Sequence, residues 1–143
     1  MLIGEVTLAS VSVFTGAAVY IGVAEQPARL FLDDRSLLTQ WKHSYKRAAR
    51  MQAGLVVVSG ALGLLSAWQM DDWHWLVGAA IIIVNGPYTL LGIMPRNNLL
   101  NKVAIEQADS SSRALIVTWG KLHTVRTGLG IAAMLADIWA LMI

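Results

Sequence analysis

The sequence predicts an all-α integral membrane protein, a four-helix bundle with short cytoplasmic helical extensions. Three observations lead there. Hydrophobic residues make up 56% of the 143. They gather in four long runs instead of recurring at the period of a half-buried helix or strand. Charged residues, 14% of the chain, are nearly absent from those runs. The mean hydropathy of +0.56 agrees. The length allows one domain, a four-span unit covering 1–143. The chain has no cysteine, which excludes a disulfide framework, a thiolate metal site and a CxxC redox centre.

Crossing the ~30 Å hydrocarbon core takes about 20 apolar residues in a helix. The predicted spans are approximately 6–24, 52–68, 75–94 and 122–143. Helices are the default because an open strand in lipid would leave its backbone polar groups unpaired. Only Glu5 is charged ahead of the first run, so that run reads as a retained span and not a cleaved signal peptide. Asp33 and Asp34 can cap a helix that opens at Arg35 and continues into the second span. Trp41, Tyr45 and Gln52 lie near one face of it. Ser110 to Ser112 can cap another that opens near Arg113 and continues through the fourth.

Orientation follows from charge. One side of the bundle holds the N-terminus, the Gln69-to-His74 turn and the C-terminus, with only the acids Glu5, Asp71, Asp72 and Asp137. The other side holds every Lys and Arg: Arg29, Arg35, Lys42, Lys46, Arg47, Arg50, Arg96, Lys102, Arg113, Lys121 and Arg126. Positive charge in short loops marks the cytoplasmic face, which places both termini on the non-cytoplasmic side. Topology and contact with anionic headgroups account for most of these cations. No nucleic-acid partner is expected; the lipid bilayer is.

Small residues at Gly16, Ala17, Gly54, Ser59, Gly60, Gly63, Gly78, Ala79, Gly128 and Gly130 let helix backbones approach closely. Trp68, Trp73 and Trp75 flank a turn, as an interfacial aromatic belt would.

Membrane physics leaves a set of polar residues at one depth unexplained. Glu25 and Arg29 close the first span; Tyr45, Arg47 and Gln52 open the second. Asn85, Tyr88 and Thr89 lie in the second half of the third, followed by Arg96, Asn97 and Asn98. Trp119, His123 and Arg126 open the fourth on one helical face. Ionisable residues inside a span are costly and usually face the bundle interior or a watered cavity. Several have bland alternatives. Glu25 with Arg29 is equally an i,i+4 pair at a helix end. Lys121 and Arg96 can snorkel to headgroups. Asn97 and Asn98 after Pro95 make a fair turn. His43 and His74 read as exposed or interfacial. His123 and Arg126, a turn inside an apolar helix beside Trp119, are harder to dismiss.

The third span ends PYTLLGIMPRNNLL and the fourth opens WGKLHTVR, a W-x3-H-x2-R pattern. With Glu25, Pro27 and Arg29 after the first span, the chain resembles the small four-helix membrane anthrone oxygenase family, over nearly its whole length. The resemblance implies oxidation of an anthrone to an anthraquinone by molecular oxygen, with no bound cofactor. An anthrone has an acidic methylene whose deprotonation gives an electron-rich enolate, and such anions reduce oxygen themselves. The protein has to supply a base, donors for the enolate oxygen and a dry, flat cavity. On this reading His123 is the base, and Arg126 and Asn97 hold the oxyanion. Trp119 and Tyr88 offer flat walls, and Glu25 orients Arg126 or His123. Arg29, Tyr45 and Asn85 complete the substrate-binding set. The substrate is a planar anthrone-like or phenolic molecule, apolar enough to partition into the bilayer. A metal site is not expected, since of the dispersed ligand types only His123, Glu25 and at most His43 can meet. The rival is a non-catalytic membrane protein, a partner subunit or a lipid- or small-molecule-binding module. An aromatic-lined cavity at His123 favours the enzyme; a close-packed salt-bridge plug favours the rival. Self-association into a homo-oligomer stays open.

Overall fold

A computed structural model describes residues 2–143. Four helices dominate it: α1 (Leu2–Arg29), α2 (Asp34–Met70), α3 (His74–Lys102) and α4 (Ser110–Met142), each long and apolar enough to cross a membrane. There is no strand among the described residues. Short connections force neighbouring helices antiparallel. Each packs on its neighbours in sequence, and α1 closes the ring against α4.

Local chemistry sets the helix starts. Asp33 is the N-cap of α2, its carboxylate accepting the amides of Arg35 and Ser36 at 3.1 Å. The helix then runs unbroken through Met70, as its sequence predicts. At α4 the cap falls on Asp109, one residue ahead of the expected serines. Ser112 joins it in a reciprocal box: the Ser112 amide donates to Asp109 Oδ1, and the Asp109 amide donates to Ser112 Oγ, both at 3.0 Å. At the other end of the bundle, Asp71 ends α2 in the left-handed region (φ 50°), which Asp tolerates better than most residues. The next residue, Asp72, accepts the His74 amide at 3.0 Å and the ring Nδ1–H at 2.5 Å. Those bonds, the backbone one foremost, hold its carboxyl below the usual range.

Two helices carry a wide turn. Ile21–Glu25 in α1 and Thr89–Ile93 in α3 are π-helical, closed by amides that reach five residues back: Gln26 to Ile21 and Met94 to Thr89. A proline follows each closing residue, Pro27 and Pro95. Proline has no amide to offer the next bond, and a single widened turn absorbs the mismatch while the helix continues. The stretch after Pro95 is therefore not the turn that its asparagines suggest. It is helical through Lys102, with Asn97 buried and Asn98 exposed.

Packing corrects three further expectations. Asp137 does not meet water: it is fully buried, with its carboxylate against Gly78, where an added Cβ would lie 2.0 Å from Oδ1. Trp75 is buried and crosses onto Gly4, whereas Trp68 and Trp73 are exposed as a belt requires. Among the small residues, Gly60, Gly63, Gly78 and Gly130 do meet neighbouring helices, but Gly16, Gly54 and Gly128 look into open space. Hydroxyl pairs add to the α1–α2 contact, Thr7 with Ser66 at 2.8 Å and Ser10 with Ser59 at 2.7 Å. At the basic end, two cations bind main-chain carbonyls. Arg113 donates to Asp34 (2.5 Å), to the Leu30 carbonyl (3.0 Å) and to that of Leu32. Lys42 donates to the carbonyls of Asn101 (3.3 Å) and Val103.

Candidate functional site

A cavity of about 320 Å³ lies inside the basic half of the bundle, within the size range of small-molecule sites. Seven of the nine residues expected at a site line it: Arg29, Tyr45, Asn85, Asn97, Trp119, His123 and Arg126. Glu25 and Tyr88 do not. Both wide turns contribute lining residues, Ile21 from the first and Thr89, Leu90 and Ile93 from the second.

His123 is fixed on both faces of its chemistry. Its Nε2 lies 3.0 Å from the Ala18 carbonyl on α1. A carbonyl only accepts, so Nε2 carries the proton, and the neutral ring presents its lone pair at Nδ1. Nδ1 is buried with no partner in the protein. The ring stacks on Trp119, 5.3 Å between centroids and 14° between planes. Trp119 meets Trp41 edge-on at 6.1 Å, and Trp41 stacks on Tyr45 at 4.8 Å. Four aromatic rings thus form one continuous series across α2 and α4, of which Tyr45, Trp119 and His123 line the cavity.

Two guanidinium groups border the same space. Arg29 Nη2 donates to Glu25 and to Ser44 Oγ (3.2 Å), and Ser44 donates to the same Glu25 oxygen. Gln40 adds a 3.3 Å bond to that carboxylate. Glu25 therefore holds Arg29 and not Arg126 or His123, and it reaches the site only through that partner. Arg29 Cζ sits 5.6 Å from the Trp119 ring centroid, with Nε and Nη1 unpartnered. Arg126 packs over Phe14 at 5.7 Å, and its Nε is likewise unpartnered. Tyr88 turns away, donating its hydroxyl to the Leu122 carbonyl at 2.9 Å. Arg96 donates to the Gly92 carbonyl at 3.0 Å, outside the lining.

Around this cavity the protein leaves much of its polarity unpaired. Besides His123 and the two arginines, Gln52 has both amide atoms buried without partners. So do Asn85 Oδ1, Thr89 Oγ1, Asn97 Oδ1 and Trp119 Nε1. An unmet buried polar group costs about 1–3 kcal/mol, so their concentration around one space makes that space the candidate site. Gln52 and Thr89 also line the cavity; both belong to the polar layer visible in the sequence but were not among the nine expected site residues. Position was the available signal, since Gln52 follows Tyr45 by seven residues on the same helical face. Among the described residues no three His, Asp or Glu side chains gather as a metal-binding group.

Comparison with known proteins bears on the chemistry. The sequence profile of the anthrone oxygenase family matches residues 41–136, the stretch that holds most of the cavity wall. The chain is 26% identical over 141 residues to the anthrone oxygenase of Claviceps purpurea (strain 20.1), covering 89% of this chain and 81% of that protein. It is 28% identical over 120 residues to the noranthrone monooxygenase of Aspergillus flavus (strain ATCC 200026), covering 76% of this chain and 54% of that one. No solved structure matches. With two thirds of its length under the family profile and the cavity built largely from that stretch, this chain belongs to the anthrone oxygenase family.

Proposed function

We propose that the protein is a membrane-embedded oxygenase that converts a planar anthrone-like or phenolic substrate with molecular oxygen and no bound cofactor. The observation that carries this reading is His123: one ring nitrogen tied to Ala18, the other free beside unpaired cavity donors. The four apolar helices and the one-sided distribution of Lys and Arg support insertion, with residues 29–50 and 96–121 on the cytoplasmic side.

The proposed cycle starts with proton transfer from the substrate methylene to His123 Nδ1. The resulting enolate oxygen is held by Arg126 and Asn97, with Arg29 and Gln52 within the same wall. The enolate passes one electron to oxygen, and the radical pair combines to a carbon-bound hydroperoxide once a proton returns. Loss of the remaining hydrogen on that carbon as a proton, with cleavage of the O–O bond, leaves a new carbonyl and water. One methylene and one O₂ become one ketone and one H₂O. The substrate supplies every electron, which is why no flavin or metal is required.

Oxygen consumption with emodin anthrone, in chelator-treated protein, tests this reading. Acceleration over spontaneous oxidation, with one oxygen taken up per anthraquinone formed, is the expected result. No acceleration across several anthrones would favour the alternative, a lipid- or small-molecule-binding module that uses the same cavity.

A further inference from the structure

The way into the cavity can be read from how its walls are sealed. Toward the basic end a fully buried apolar plug closes it, made of Leu37, Leu38, Trp41, Leu100 and Ile116. Toward the acidic end Val11, Phe14, Ile82 and Ala133 form a second dry layer. Neither end offers a path from water.

The four seams between helices differ. The α1–α4 seam is stitched by His123 on the Ala18 carbonyl, with Thr127 on the same oxygen at 3.3 Å. The α3–α4 seam is stitched by Tyr88 on Leu122, and the α1–α2 seam by Arg29, Ser44 and Glu25. Between α2 and α3 at cavity level the hydrogen bonds among the described residues thin to one weak one, Tyr45 Oη to Met94 Sδ at 4.0 Å, and the bond from Lys42 to the Asn101 carbonyl lies beyond it at the basic end. Lining residues that are exposed, and not merely half-buried, occur on this seam alone. Val57 is 70% and Leu90 62% exposed, Ala53 is exposed, and Ala49 and Gly86 are half-buried between them. The frame is small and apolar, with no charge in it. Arg50 marks the charged level on α2, which puts Ala53 about 5 Å and Val57 about 10 Å deeper along the helix. Leu90 lies about 9 Å inside Arg96 on α3. The opening therefore faces hydrocarbon below the headgroup layer.

We propose that the cavity is loaded and emptied sideways, through the α2–α3 gap framed by Ala53, Val57, Gly86 and Leu90. Its substrates are flat aromatic molecules already dissolved in the bilayer, not water-borne ones. This rests on the reading of the cavity as a membrane-embedded substrate site. A water-borne ligand would have to cross the buried plug; a lipid-dissolved one crosses only side chains as apolar as the acyl chains around them.

The chain has no cysteine, so Ala53→Cys carries a single thiol. In lipid nanodiscs that thiol is expected to react with N-phenylmaleimide and to resist a sulfonated maleimide, whereas Lys46→Cys at the basic rim accepts both. The phenyl adduct is then tested on binding of 1,8-dihydroxyanthraquinone, followed by stopped-flow quenching of tryptophan fluorescence. A blocked doorway slows entry and exit together, so association and dissociation should both fall roughly tenfold with Kd within about twofold of the unmodified variant. Gly86→Leu, whose Cβ meets nothing within 4 Å, gives the same test without labelling. Rapid reaction of Ala53→Cys with the sulfonated reagent, or rates indifferent to both adduct and Gly86→Leu, would overturn the route. Gated binding without anthrone oxidation would keep the route and reject the oxygenase. Oxidation with ungated rates would keep the oxygenase and reject the route.

Discussion

The imidazole of His123 on α4 and the carbonyl of Ala18 on α1 meet at 3.0 Å across the bundle. That contact does two jobs, since it selects the ring tautomer and ties together the two helices that the site needs in register. It also separates two roles for the side chain in an experiment. His123→Gln can keep a donor for Ala18 but has no base to offer. We expect it to fold normally and to lose roughly 10²- to 10⁴-fold in turnover, with His123→Ala similarly inactive and less stable. Turnover by His123→Gln near the wild-type rate would reject His123 as the base.

The guanidinium groups should be ranked by what they face. Arg126→Lys replaces a planar fork with a point charge, and losing an oxyanion donor of this kind costs roughly 10²-fold in turnover. Arg96, whose guanidinium is occupied by the Gly92 carbonyl outside the lining, should tolerate Arg96→Gln with only a small change. Equal effects at both positions would mean that placement at the cavity does not set the importance of a guanidinium here.

Sidedness is tested with single cysteines. Leu2→Cys and Lys102→Cys in sealed vesicles should label with an impermeant maleimide from opposite faces, Lys102→Cys from the cytoplasmic one. Labelling of both from one face would contradict the charge argument.

Helix contact at the acidic half depends on one hydrogen atom. Gly78→Ala drives a methyl group into Asp137 and should destabilise the fold by about 1–3 kcal/mol. Gly54→Ala, which points into open space, should be neutral or mildly stabilising. Asp137→Ala ought to relieve the Gly78→Ala defect, and a thermal double-mutant cycle would read that coupling.

The cap of α2 predicts a pH effect. Hydrogen bonds from Ser36, side chain first and backbone second, hold the Asp33 carboxyl below its ordinary value. A folded-state value lower than the unfolded one means the stabilisation is present above about pH 4 and lost as pH falls through the folded value. Asp33→Ala should therefore melt earlier than wild type at neutral pH, with the gap closing in acid. Asp33→Asn, which keeps an acceptor, should show a smaller and flatter difference.

The sequence was legible wherever a long apolar run sets polar residues in relief. Hydrocarbon rejects polarity, so Arg29, Asn85, His123 and Arg126 stood out against their apolar surroundings, and the cavity gathers all four. The cap at Asp33 was legible because it uses only neighbouring residues. Rotation about each helix axis was not. Gly54 and Gly63 look alike in a sequence, yet one faces outward and the other meets Ala79. Asp137 read as a terminal surface acid because nothing local announces that Gly78 on another helix makes room for it. Gln52 and Thr89 were visible as polar residues, but their lack of partners is a property of three helices together.

Rotation also gives the wide turns their meaning. Each α-helical residue advances about 100° around the axis, so one residue inserted into a turn acts as a phase shift for everything beyond it. Arg29 lies just past the first such turn and Asn97 just past the second. Both prolines therefore act as clutches. The stretch before each can keep the rotation its neighbours demand for packing, while the stretch after it is turned to bring Arg29 or Asn97 to the cavity. Removing one residue from either wide turn would change the composition hardly at all. It would swing the guanidinium of Arg29, or the amide of Asn97, out of the chamber while the greasy half of the helix stayed where it was.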